Sequence, residues 1–205
     1  MRGITMIKLS LTDFMDIASK SGVQKARAVI AIKSRPQKYE RATDFYGPLR
    51  EHIIEIHKKK RSKKALDDVL SRIVDKKKLG NYPLVIDGYK RWWGRKTLQW
   101  FEPISKPYSA HQVSININPE LGLIINGVPY LIKLYFKKAP LAKDRDGIIV
   151  QLMEMTLRSG CENNAIMSVL DTRHSKIVPY EYSSPVNKAM IDAELGYIAN
   201  LWTAI

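Results

Sequence analysis

The sequence predicts an α+β fold, and three observations carry that prediction. Helical spacing of apolar residues dominates up to residue 96, period-two alternation sets in from residue 97, and the dipeptide Asn126-Gly127 separates two apolar runs within the second half. The expected organisation is an N-terminal helical region, 1–96, packed on a sheet-centred region, 97–205, as one compact unit that ends in a helix. With 205 residues, 45% hydrophobic and 26% charged, the chain has the apolar content to bury a core, which excludes disorder throughout. The single cysteine, Cys161, excludes an internal disulfide framework and fits a reducing compartment, so a cytoplasmic location is expected. No window approaches the roughly 20 apolar residues of a membrane span, and no membrane partner is expected.

In chain order, Ser10 or Thr12 starts a helix that stops at Ser21-Gly22, and a second helix ends before Pro36. This pair reads as packing rather than as a DNA-reading motif. A helical stretch follows from about Gln37 to His57, restarted at Pro48, with Leu49, His52, Ile53 and Ile56 on one face. Residues 65–74 form another amphipathic helix, closed by Leu79-Gly80-Asn81, and Pro83 opens a further one through Trp92-Trp93. Strands are expected at 97–101, 112–118, 121–125 and 128–137, then a helix over 144–158 with Ile148, Leu152 and Met155 inward. A strand at 165–170, a turn near His174 leading to 176–178, and a last helix from Asn187 with Met190, Ile191, Leu195 and Ile198 inward complete the chain.

Lysine and arginine number 34 against 20 acids, a formal charge of +14. Such a surplus makes an acidic polymer, DNA or RNA, the first partner to consider, because neutralising phosphates releases condensed counterions. The charge is clustered: Lys58, Lys59, Lys60, Arg61, Lys63 and Lys64 put six cations in seven positions, and Lys76-Lys77-Lys78 adds three. The run reads either as a solvated helix end or as a patch that tracks phosphates. Trp92-Trp93-Gly94-Arg95-Lys96, joined to Trp100-Phe101, interleaves rings with cations as base stacking would use, although tandem tryptophans commonly bury at least one ring. Arg173, in the turn Asp171-Thr172-Arg173-His174, is a further candidate phosphate contact. The four histidines are scattered and read as structural.

The Asn126-Gly127 turn also fixes a register. A two-residue loop pairs Ile125 with Val128, which sets Gly122 opposite Leu131 and Glu120 opposite Lys133. An acid facing an amine within apolar strands is either a cross-strand ion pair or a carboxylate able to hold a divalent cation beside a charge-stabilising ammonium.

The order helix (48–57), three strands, helix (144–158) and strand (165–170) resembles the αβββαβ core of the PD-(D/E)XK, or restriction-endonuclease-like, superfamily. Pro119-Glu120 resembles the motif that begins its second core strand, Lys133 resembles the motif lysine, and Glu51 or Glu55 resembles its helix acid. The resemblance implies a Mg2+-dependent nuclease in which Glu120 and Glu55 or Glu51 ligate the metal and Lys133 steadies the attacking water. One element departs: the acid-x-Lys triplet reads Leu131-Ile132-Lys133, so an acid is missing, and Glu102, Asp171 or one of the helix glutamates, Glu51 and Glu55, would have to fill its place. The other function left open is a non-enzymatic module that binds nucleic acid or an acidic protein.

Overall fold

The structure, a computed structural model, describes residues 6–35, 44–141 and 143–205. Part of the helical stretch expected from residue 37 therefore lies outside the described residues. β1 (Ile7–Ser10) buries Ile7 and Leu9 and exposes Lys8. Its last residue caps α1 (Leu11–Ala18): the Ser10 hydroxyl accepts the Asp13 N–H at 3.0 Å, and the Asp13 carboxylate accepts the Ser10 N–H at 3.2 Å. This reciprocal box satisfies two donors that the first turn leaves open. After α2 (Gly22–Lys33), α3 (Gly47–Lys58) carries Pro48 in its first turn, where the missing N–H is not needed.

Two departures follow. Residues Lys63–Arg72 form a 3-10 segment in place of the expected α-helix. α4 (Lys76–Trp93) then runs unbroken through Pro83, its first turn capped by the Asp75 carboxylate, which accepts the N–H groups of Lys77 at 2.7 Å and Lys78 at 3.2 Å. Lysines 76 to 78 thus open a helix rather than close one. An interior proline costs about 3 kcal/mol, but the same helix buries Tyr82, Val85, Ile86, Tyr89 and Trp92, and that packing outweighs the loss.

The remaining elements are β2 (Leu98–Phe101), β3 (Lys106–Ala110), β4 (Val113–Ile117), β5 (Leu121–Ile125), β6 (Val128–Tyr135), α5 (Lys143–Leu157), β7 (Ile166–Asp171), β8 (Lys176–Pro179) and α6 (Pro185–Ala204). They confirm an α+β fold with an open mixed sheet of five strands, in the order β2-β5-β6-β7-β8. β5 lies antiparallel between β2 and β6, α5 carries the chain over to β7 parallel to β6, and β8 returns antiparallel. The strand expected beside β5, residues 112–118, is not there. β4 belongs to a second sheet, β1-β4-β3, paired in parallel with β1 and antiparallel with β3, and β2 takes the place next to β5. The β1–β4 pairing also ties the two sides of residue 96 together.

The two faces of the five-stranded sheet serve two cores. Leu121, Leu123, Ile125, Ile132, Leu134 and Leu170 pack with α3, the 3-10 segment and α4. Alternation sends Leu131, Tyr135, Met167 and Val169 to the other face, where they join α1, α2, α5, α6 and the small sheet. α5 touches strands of both sheets as well as α6, so its turns are apolar nearly all round, with Ile148, Ile149, Val150, Leu152 and Met153 buried. Met155 and Met190, expected inward, are 41% and 36% exposed. Among the described residues, no helix is long and apolar enough to cross a membrane.

Candidate functional site

The hairpin forms as its turn chemistry dictates. Asn126 and Gly127 both take positive φ, +50° and +90°, and Ile125 pairs with Val128. Asn126 also exchanges hydrogen bonds of 3.1 Å with the backbone of Thr97, which fastens the turn to β2. At the open end the register stops at Leu121 opposite Ile132, and Glu120 and Lys133 occupy the next rung. The Lys133 ammonium donates to Glu120 Oε1 at 2.5 Å, and Glu120 Oε2 accepts the Leu134 N–H at 2.7 Å. The carboxylate therefore extends the ladder one step beyond the end of β5. Both side chains are buried, Lys133 to 2% and Glu120 to 9% exposure.

The expected metal site does not assemble around this pair. Lys133 points to the face shared by Leu131 and Tyr135, whereas α3 packs on the face of Ile132 and Leu134. The sheet therefore separates Glu120 from the helix acids Glu51 and Glu55. Glu51 is exposed, and the hydrogen bond from Lys59, at 2.5 Å, holds the Glu55 carboxyl below its usual range. Of the other two replacement acids, Glu102 pairs with Lys58 at 3.0 Å. Asp171 lies two residues beyond Val169, the partner of Lys133 on β7, an offset of about 7 Å along the strand. Its carboxylate accepts the Leu141 N–H at 3.2 Å and is paired with His174 at 2.8 Å. Among the described residues, no group of three or more His, Cys, Asp or Glu side chains could hold a metal ion. With one Glu120 oxygen on an ammonium and the other on a backbone N–H, these residues do not fit a magnesium ion, which asks for a shell of oxygen ligands.

The cationic segments do come together. Lys63 Nζ donates to the Gly94 carbonyl at 2.7 Å, which sets the run 58–64 beside Arg95 and Lys96. Within this region Lys58, Lys59 and Arg61 are paired with Glu102, Glu55 and Asp68. Lys60, Lys64 and Arg95 are exposed and, among the described residues, have no carboxylate at ion-pair distance. Eight cations thus face three carboxylates. The aromatic residues are mostly structural. Trp92 is 4% exposed and belongs to the core. Half-buried Trp93 stacks on His57 at 4.6 Å, and half-buried Trp100 lies under Lys58 Nζ at 5.2 Å. Burial lowers the Lys96 amine, which donates to the Trp92 carbonyl and sits 5.3 Å over the Trp92 ring.

Arg173 stands apart from this surface. It donates to the Phe136 carbonyl at 3.0 Å and to Asn81 Oδ1 at 2.6 Å, bracing α4 against the sheet. Of the histidines, His52 and His57 are buried and hydrogen-bonded, His52 to the Ala65 carbonyl at 2.8 Å and His57 to the Tyr89 hydroxyl at 2.7 Å. The Lys63 to Gly94 contact that joins the two cationic segments spans 31 positions and leaves no periodic signal in the sequence. No protein-family model matches the chain, and no curated protein does, so the site is read from its own chemistry.

Proposed function

We propose that this protein is a non-enzymatic nucleic-acid-binding module that holds DNA or RNA by its phosphates, at the surface formed by residues 58–64 and 94–96. The observation that carries this reading is the excess of exposed cations there over their carboxylate partners, with Lys60, Lys64 and Arg95 left for an outside anion. Counterion release from phosphates gives such a surface affinity without base readout. The Glu120–Lys133 pair, buried and with both carboxylate oxygens already accepting hydrogen bonds, supports a binding role over a hydrolytic one.

The test is a salt titration of oligonucleotide binding by fluorescence anisotropy. Four or five phosphate contacts give a slope of log affinity against log salt of about −3 to −5. Replacing Lys60, Lys64 and Arg95 together by Gln makes that slope shallower by about 2 to 3. A flat salt dependence in the wild type, or an unchanged slope in the triple variant, overturns the proposal. Hydrolysis of single-stranded and duplex DNA and RNA with magnesium is expected to stay at the buffer rate in the wild type; turnover above that rate, lost in a folded Glu120→Leu/Lys133→Met double variant, would restore the nuclease reading.

A further inference from the structure

A cavity of about 260 Å3 lies between α1 and the end of β6, on the face of the large sheet opposite α3 and α4. Its walls are of two kinds. Met15, Ala18, Tyr135, Leu141 and Ile149 make the apolar part, and Asp16, Lys20 and Lys137 stand together at one side. Both ammonium groups donate to Asp16 Oδ1. Burial raises the Asp16 carboxyl, but the hydrogen bonds from Lys137 and Lys20 outweigh it and hold the group below its usual range, so it is ionised. Among the described side chains, two ammoniums against one carboxylate leave this wall with one positive charge. Lys20 also donates to the Asp16 carbonyl at 3.0 Å, whereas Lys137, whose side chain is 43% exposed, keeps donors for something else.

The walls are braced from behind. The Tyr135 hydroxyl donates to the Ala139 carbonyl at 2.8 Å, closing the turn after β6 over the cavity. The Leu141 N–H is held at 3.2 Å by Asp171, at the end of the parallel neighbour β7. The cavity therefore opens beyond the carboxyl end of β6, with its Leu141 wall tied to the end of the parallel neighbour β7.

We propose that this cavity binds a small organic monocarboxylate with one apolar ring, its ring against Met15, Tyr135 and Ile149 and its carboxylate on Lys137. The volume supports that size, since an apolar cavity of about 150 Å3 already holds a benzene ring. The single surplus charge supports a monoanion over a neutral compound, because a carboxylate on an ammonium adds the attraction of opposite full charges to the hydrogen bond that an amide carbonyl could also accept. This site is distinct from the cationic surface of residues 58–64 and 94–96, so either can fail without the other.

The probes are phenylacetate and its neutral counterpart phenylacetamide, titrated into the full-length protein by calorimetry, with chemical shifts followed by NMR. Saturable phenylacetate binding is expected, with shifts centred on Met15, Tyr135 and Ile149. The Lys137→Met variant is expected to weaken phenylacetate by about tenfold or more, the loss of one ion-paired hydrogen bond, while weakening phenylacetamide less. Ala18→Leu, which narrows the cavity, is expected to abolish binding of both; because it could also disturb α1, Lys137→Met at an exposed position carries the decision. The proposal is overturned if phenylacetate does not saturate, if acid and amide bind equally to the wild type, or if Lys137→Met binds phenylacetate as the wild type does.

Discussion

Lys133 and Lys60 carry the same ammonium into opposite surroundings. Lys133, on the central strand of the large sheet, is 2% exposed and spends its charge on Glu120. Lys60, past the end of α3, is exposed and has no carboxylate partner among the described residues. The difference teaches what a charge does at each place. A buried ion pair with a bond on each carboxylate oxygen helps to fix one register, and removing half of it strands the other half in a low-dielectric core. An exposed, unpaired ammonium adds almost nothing to stability and is fully available to a phosphate.

The buried pair is where substitution is expected to cost most. Glu120→Leu leaves the Lys133 ammonium buried without its partner and is expected to cost about 3–5 kcal/mol in urea unfolding. Adding Lys133→Met to that variant should recover most of the loss, since a hydrophobic pair replaces an ionic one at little net cost. Should the single variant unfold at the wild-type midpoint, the pair is not the fastening described above.

The footing of the exposed surface is next. His57, one residue before the cationic run, is 4% exposed, and burial lowers its pKa from 6.5 to about 4. Above pH 6.5 the ring is neutral in both folded and unfolded chains, and nothing is lost. Between pH 6.5 and about 4 the unfolded chain takes up a proton that the folded one refuses, so stability falls with decreasing pH, by about 3 kcal/mol over the window. A His57→Gln variant should show a correspondingly flatter dependence of unfolding free energy on pH between 6.5 and 4; an unchanged slope would mean the ring titrates normally in the fold.

Smaller still, Lys63→Met removes the hydrogen bond to Gly94 that joins the two cationic segments and should cost about 1 kcal/mol of stability. Lys60→Gln and Lys64→Gln should each shift stability by less than about 0.5 kcal/mol while weakening oligonucleotide binding, which separates the surface from the fold in one pair of measurements.

Local rules made part of this molecule legible in the sequence. The hairpin register followed from Asn126-Gly127 because these two residues readily take the positive φ values of a two-residue type I′ turn, and it carried the Glu120–Lys133 contact with it. The α+β class followed from the change in apolar period. Partner choice between distant strands did not follow. Alternation marks residues 113–117 as a strand without saying that they pair with Ile7–Ser10 and not with Leu121–Ile125. Nor can a linear pattern weigh the burial of Tyr82 and Tyr89 against the cost of Pro83, so the helix through that proline was not legible. For the site, the cations were readable one by one. Which face of the sheet α3 would cover was not, and that choice parts Glu55 from Glu120.

The parallel pairing of β1 with β4, Ile7 beside Val113, has a consequence for how the chain is made. During synthesis β1 leaves the ribosome long before its partner exists, so its backbone donors stay hydrated until the chain from Leu11 to Asn116 has been made. Lys8, facing outward between Ile7 and Leu9, places a charge on this waiting edge and discourages it from pairing with a neighbouring nascent copy.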